Sequence, residues 1–170
     1  MTEEIYRDIL NKIRSYAEGP QIVDYAMRTI THAAIVGYVA MLGVFLLNKQ
    51  YHALYENILV TGVAFAVVSL LRKKIGAKRP YETMKFEPIA DRKGGGDSFP
   101  SRHVFSIFII AVAMLKQNIW LGLLFLIMGL FLAVLRIIAG LHYPRDVIAG
   151  ALIGIISGGL GFFLIFPGRI

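Results

Sequence analysis

The sequence predicts an all-α integral-membrane fold, a helical bundle of five transmembrane helices behind an N-terminal amphipathic helix, in a single domain over residues 1–170. Three observations predict it. Of the 170 residues 56% are apolar and only 17% charged, a balance that soluble domains of this size rarely carry. The apolar residues collect into runs near the roughly 20 residues a helix needs to cross a bilayer. Most of the charged residues fall between those runs and crowd into a few of the gaps.

In chain order, Thr2–Ala17 is expected to form the amphipathic helix. Ile5, Ile9, Leu10 and Ile13 recur at helical spacing, and Thr2, Glu3 and Glu4 suit a helix start. Such a helix, within residues 1–20, is expected in the membrane interface, with a plain solvated helix as the alternative. The core, residues 25–166, holds spans at Tyr25–Leu47, Ala53–Leu71, Phe99–Leu115, Ile119–Ile138 and Val147–Phe166. The second and third have short charge-free runs, Ile58–Leu71 and Val104–Leu115. Runs this short suit buried helices or re-entrant segments as well, and they cross only if their ends sit in a polar site rather than in lipid.

Composition excludes several classes. There is no cysteine, so disulfides and thiolate metal sites are impossible. A net charge of +7 in so apolar a chain points to an anionic membrane surface and not to nucleic acid. The first twenty residues are polar and of mixed charge, unlike a cleavable signal peptide.

Parity then sorts the loops. The long loop Arg72–Ser98 and the short link Arg136–Asp146 lie two spans apart, so they emerge on the same side. The opposite side receives Asn48–His52, Lys116–Asn118 and the C-terminal tail. The reactive residues therefore converge on one membrane face.

Three blocks on that face carry chemistry. In Arg72-Lys-Lys-Ile-Gly-Ala-Lys-Arg79-Pro80, the cations can set topology or hold lipid headgroups, or they can clamp phosphate. In Pro100-Ser101-Arg102-His103, Ser98 can cap the third span and Pro100 suits its first turn, leaving backbone N–H groups for an anion. In Arg136-(five)-His142-(three)-Asp146, Pro144 starts the fifth span and places Asp146 in its first turn. There Asp146 can accept the Nδ1 hydrogen of His142 and present Nε2 as a nucleophile. A structural Arg–Asp pair is the plainer alternative. Together the blocks supply what phosphoryl transfer needs: cations for the equatorial oxygens, an in-line nucleophile, and an acid for the leaving oxygen. The carboxylates Glu82, Glu87, Asp91 and Asp97 have no ligand spacing, so neither a metal nor another cofactor is expected.

These blocks resemble the type 2 phosphatidic acid phosphatase family, whose pattern is Lys-(six)-Arg-Pro, then Pro-Ser-Gly-His, then Ser-Arg-(five)-His-(three)-Asp. The resemblance covers Arg72–Asp146 and is most specific in its third block. It implies a lipid phosphatase working through a phosphohistidine, with His142 as nucleophile, Asp146 as its orienter and His103 as general acid. It also implies phosphate binding by Arg79, Arg136 and Ser101, with Arg72 or Lys73 in the family's lysine slot and Arg102 as an added contact. Arg72 stands for that lysine, Arg102 for the glycine and Leu135 for the serine before Arg136. Its implied substrates are membrane lipid phosphates: undecaprenyl diphosphate, phosphatidylglycerophosphate, phosphatidate or the 1-phosphate of lipid A. A phosphotransferase of the same fold is the alternative within enzymes. A small transporter is the alternative outside them, disfavoured because its charges would line the spans.

Elsewhere His32 is expected to be packed or helix-bonded, His52 solvated, Gly94-Gly95-Gly96 a linker, and Gly150, Gly154 and Gly158 a close helix contact. Sidedness pits two arguments against each other. Only Lys49, Lys116 and Arg169 of the 18 lysines and arginines fall on the far side, which by the positive-inside rule puts the site in the cytoplasm. The resembled bacterial enzymes work on the outer side of the cytoplasmic membrane, and several of these cations are committed to substrate. An extracytoplasmic site in the bacterial inner membrane is therefore expected.

Overall fold

The structure, a computed structural model, describes residues 1–84, 86–90 and 97–167. Asp91, the Gly94–Gly96 run and Arg169 lie outside the described residues. The described elements are all helical: α1 (Glu3–Arg14), α2 (Gly19–Leu47), α3 (Tyr51–Ile75), α4 (Pro80–Met84), α5 (Arg102–Gln117), α6 (Ile119–Ile138) and α7 (Pro144–Gly159). The last runs on as a π-helical segment, Leu160–Ile165.

Four stretches among the described residues are long and apolar enough to cross a membrane: Gly19–Leu47, Tyr51–Met84, Ile119–Ile138 and Pro144–Ile165. The expected third span is a different kind of helix. α5 has 16 residues, about 24 Å at 1.5 Å per residue. Its buried residues are Val104, Phe105, Ile107–Met114 and Lys116, so nearly its whole circumference is core. α5 is thus the axis of the bundle, wrapped by α6 and α7 and flanked by α2 and α3. A helix that is apolar all round belongs in such a place. Its apolar run is short because protein, and not lipid, surrounds it.

The fit of α7 on α5 depends on a glycine stripe. A Cβ at Gly150 would stand 2.6 Å from the Ser101 carbonyl oxygen, and one at Gly154 2.7 Å from that of Phe105. At Gly158 it would meet Val112 at 2.8 Å. The expected close contact of these glycines is therefore present, and it presses the start of α7 against the start of α5.

Two expectations need correction. His32 is exposed on α2 and not packed between helices, because its side of α2 faces outward. On α1 the buried side chains are Tyr6 and Leu10, while Ile5 is 46% exposed. The packed face of α1 is turned toward the protein, where the Tyr6 hydroxyl has a hydrogen-bond partner.

Candidate active site

The site forms where α3, α5, α6 and α7 bring their ends together. Gly76, in the left-handed region at φ 57°, ends α3 just past Arg72. Arg72 is buried, and its guanidinium donates to the carbonyl oxygens of Asp97, Ser98 and Pro100. It therefore shapes the segment leading into α5. Lys73, one position on, is exposed. Of the two candidates for the lysine slot, Arg72 faces the site and Lys73 turns away from it.

The segment that Arg72 holds delivers Ser98 to the histidine. Ser98 is fully buried; its hydroxyl donates to Asp146 Oδ2 at 2.5 Å and lies 3.3 Å from His142 Nδ1. The direct distance from His142 Nδ1 to Asp146 Oδ2 is 3.7 Å, too long for a good hydrogen bond. Ser98 thus bridges a pair that the sequence spacing joins directly. Nor does it cap the third span, since α5 begins at Arg102 with Ser101 as its N-cap. Nothing in the sequence ties Ser98 to a residue 44 positions away, so its role was not legible there.

Asp146 is fixed from several directions. Pro144 opens α7, as expected, and the Tyr143 N–H donates to Asp146 Oδ2 at 3.1 Å. The Asp146 carbonyl oxygen accepts from the Ser101 N–H at 2.8 Å, joining the second and third blocks through the backbone. Because Oδ2 already takes the Ser98 hydroxyl hydrogen, the Ser98 oxygen is left to accept from His142 Nδ1–H. That tautomer leaves Nε2 with its lone pair. His142 is 1% exposed. Its imidazole is pushed down to about 4, chiefly by burial; the neighbouring Asp146 carboxylate opposes the shift, and the charges of Arg79 and Arg136 add to it.

Arg79 and Arg136 are both buried beside this histidine. With Arg72 they set three buried arginines against one buried carboxylate, Asp146, among the described residues at this end of the molecule. Half-buried Glu82 adds a second carboxylate, which accepts from the Arg79 backbone N–H at 2.7 Å. The Ser101 hydroxyl is buried and has no hydrogen-bond partner among the described residues. Three buried arginines with a free hydroxyl suit an anion. His103 is half-buried on the first turn of α5. It lines, with Arg102, a largely apolar cavity of about 500 Å³ between α2, α3, α5 and α6. Arg102 is exposed, with its guanidinium 5.6 Å from the centre of the Phe65 ring. No group of three or more potential metal-ligating side chains occurs among the described residues.

A family model described as the PAP2 superfamily matches residues 53–168, which include all three blocks. The chain belongs to the PAP2 superfamily. Among curated relatives, the lipid A 4'-phosphatase of Bacteroides thetaiotaomicron is 31% identical over 83% of this chain and 69% of its own length. The undecaprenyl-diphosphatase BcrC of Bacillus subtilis is 31% identical over 91% of this chain and 81% of its own. Among solved structures, Aquifex aeolicus LpxE superposes with a TM-score of 0.71 at 24% identity, covering 94% of this chain and 93% of that one. At that identity the likeness speaks for the fold. A PAP2 fold on four apolar helices makes this an integral-membrane protein.

Proposed function

We propose that this PAP2 protein is a metal-independent phosphatase of membrane lipid phosphates that works through a phosphohistidine on His142. The observation that carries the reading is the buried His142–Ser98–Asp146 chain set beside Arg79 and Arg136. It supports a neutral imidazole with Nε2 available next to a site for anionic oxygens. Nε2 attacks phosphorus and the bond from phosphorus to the lipid oxygen breaks. His103 gives its proton to that oxygen. Water then attacks the phosphohistidine with His103 as base, releasing phosphate and restoring Nε2. Arg79, Arg136 and the Ser101 hydroxyl hold the phosphate oxygens, and Arg72 holds the loop that carries Ser98.

The relatives' names, a lipid A phosphatase and an undecaprenyl-diphosphatase, support a lipid carrying a phosphate or diphosphate. The apolar cavity beside His103 is consistent with such a substrate. We further propose five crossings, with α5 as the central one, α1 at the interface, and the site on the extracytoplasmic side of the bacterial inner membrane. The test is phosphate release by purified protein in detergent. The panel is undecaprenyl diphosphate, phosphatidylglycerophosphate, phosphatidate and lipid A, each with and without chelator. Turnover that persists in chelator supports the reading. Turnover restored only by added magnesium overturns its metal independence, and transfer to an alcohol in preference to water makes the protein a phosphotransferase. A reporter fused after Ile170 that is active only in the periplasm overturns the orientation alone.

A further inference from the structure

We propose that Tyr6 of α1 is a positioning residue for His142, which makes the N-terminal helix part of the catalytic machinery although the family match begins at residue 53. The proposal rests on the assignment of His142 as nucleophile. Tyr6 is 0% exposed, and its hydroxyl donates to the carbonyl oxygen of His142 at 3.0 Å. The two residues are 136 positions apart. Burial, with the neighbouring Tyr143 and Asp146, raises the Tyr6 hydroxyl above the ordinary tyrosine range, so it remains a donor at any working pH.

The surroundings show a built contact. The Tyr6 ring stacks on Phe86 at 5.5 Å and meets Tyr143 edge-on at 6.3 Å. The link between α6 and α7 turns at Gly140, where φ is 72° and a Cβ would stand 2.5 Å from the Phe86 ring and 3.7 Å from Leu10. α1 is fastened in turn: Arg7 donates to the Met84 carbonyl oxygen at 3.4 Å and Arg14 to that of Glu87 at 2.7 Å. The link bearing His142 is therefore held by α6 before it, α7 after it, and α1 and Phe86 against its side. Fixing the His142 carbonyl fixes the backbone that aims the imidazole at Ser98. A displacement of about an ångström at such a position can cost far more rate than binding.

The experiment compares Tyr6→Phe, which keeps the ring and removes the hydroxyl, with wild type and His142→Ala in the full-length purified chain. Activity is read on the lipid phosphates of the panel above. Tyr6→Phe is expected to lower kcat about three- to tenfold, the worth of one hydrogen bond, with KM within about twofold. The second readout needs no turnover: NMR titration of the imidazoles in detergent, with His142 assigned by its loss in His142→Gln. The charged and titratable groups around His142 are Asp146 from α7, Arg136 from α6, Arg79 ahead of α4, Tyr143 and Tyr6 itself. Loosening the link admits water, so the His142 midpoint is expected to rise by about one pH unit in Tyr6→Phe. An unchanged kcat with an unmoved midpoint overturns the proposal and leaves Tyr6 a packing residue. A wild type without phosphatase activity overturns the assignment of His142 instead, while the midpoint still decides whether Tyr6 positions it.

Discussion

Both ends of α5 bury ionisable groups, but the two ends hold them differently. At its C-terminal end Lys116 pairs with Glu56 and donates to the carbonyl oxygens of Phe162 and Phe166 at 2.8 Å each. One cation faces one carboxylate, and three acceptors use up the ammonium's three hydrogens. The carbonyls come from the π-helical end of the chain, which the lysine ties to α3. At the N-terminal end three buried arginines face Asp146, the one buried carboxylate described there, which is already engaged by Ser98 and the Tyr143 N–H. A closed pair holds helices together, whereas arginines gathered around a histidine suit an anion. Burial of charge alone does not identify a site; the groups gathered with it do.

The sharpest way to break this contrast is at the nucleophile. His142→Ala should lower turnover by roughly 10⁴-fold or more while the protein still folds and inserts, since no neighbouring group replaces its Nε2. Appreciable phosphate release by that variant would remove His142 from the mechanism.

Next come paired substitutions at the two ends. Arg136→Ala should cut kcat/KM by about 10²–10³, as for loss of one preorganised donor to the transition state. Lys116→Met should instead destabilise the fold by about 3–5 kcal/mol, because it strands Glu56 in the interior. Its activity per folded molecule should remain at the wild-type level, and Glu56→Leu added to it should recover much of the stability. Melting curves and kinetics on all four proteins decide it. Loss of activity from Lys116→Met in folded protein would show that the two ends are coupled.

The same contrast explains what the sequence could and could not disclose. Arg136, His142 and Asp146 were legible because they lie within one local spacing, with Pro144 fixing the helix start. The glycines of α7 were legible because their period matches a helix face. Ser98 was not, because its contact depends on how Arg72 folds the segment before α5. Glu56 and Lys116 escape a sequence reading for the same reason, being 60 positions apart. The apolar runs were informative too, but a run does not say whether lipid or protein surrounds it; α5 is surrounded by protein. Tyr6 is hidden inside an amphipathic pattern: it packs on the same side as Leu10, while Ile5 of that pattern is exposed, so the pattern alone does not single it out.

Ser98→Ala sharpens the account of the active end with a smaller effect. It removes the hydroxyl between His142 and Asp146 and leaves the imidazole tautomer less firmly held. A loss of about tenfold in kcat is expected, the upper range for one buried hydrogen bond. Threonine at that position should restore part of the rate. Full activity in Ser98→Ala would favour direct contact between His142 and Asp146.

The smallest effect concerns stability against pH, and it too separates the two ends. His142 binds its proton at about 4 in the folded chain, against an unfolded value of about 6.5. Between those values the unfolded chain carries the proton and the folded chain does not. Stability therefore rises with pH across that window, is level for this group above about 6.5, and falls as the pH drops toward about 4. A change of about 1.5 pH units below 6.5 corresponds to roughly 2 kcal/mol, or on the order of 5 °C in melting temperature for a chain of this size. His142→Gln, which cannot titrate, should lose this part of the dependence, and the difference between the two melting profiles isolates it from every carboxylate in the molecule. The Lys116→Met, Glu56→Leu protein should keep the His142 part of the dependence, because His142 is untouched at the opposite end of α5. Parallel profiles for wild type and His142→Gln from about pH 7 to about pH 5 would mean that the imidazole is hydrated in the folded protein, and the buried neutral nucleophile would have to be given up.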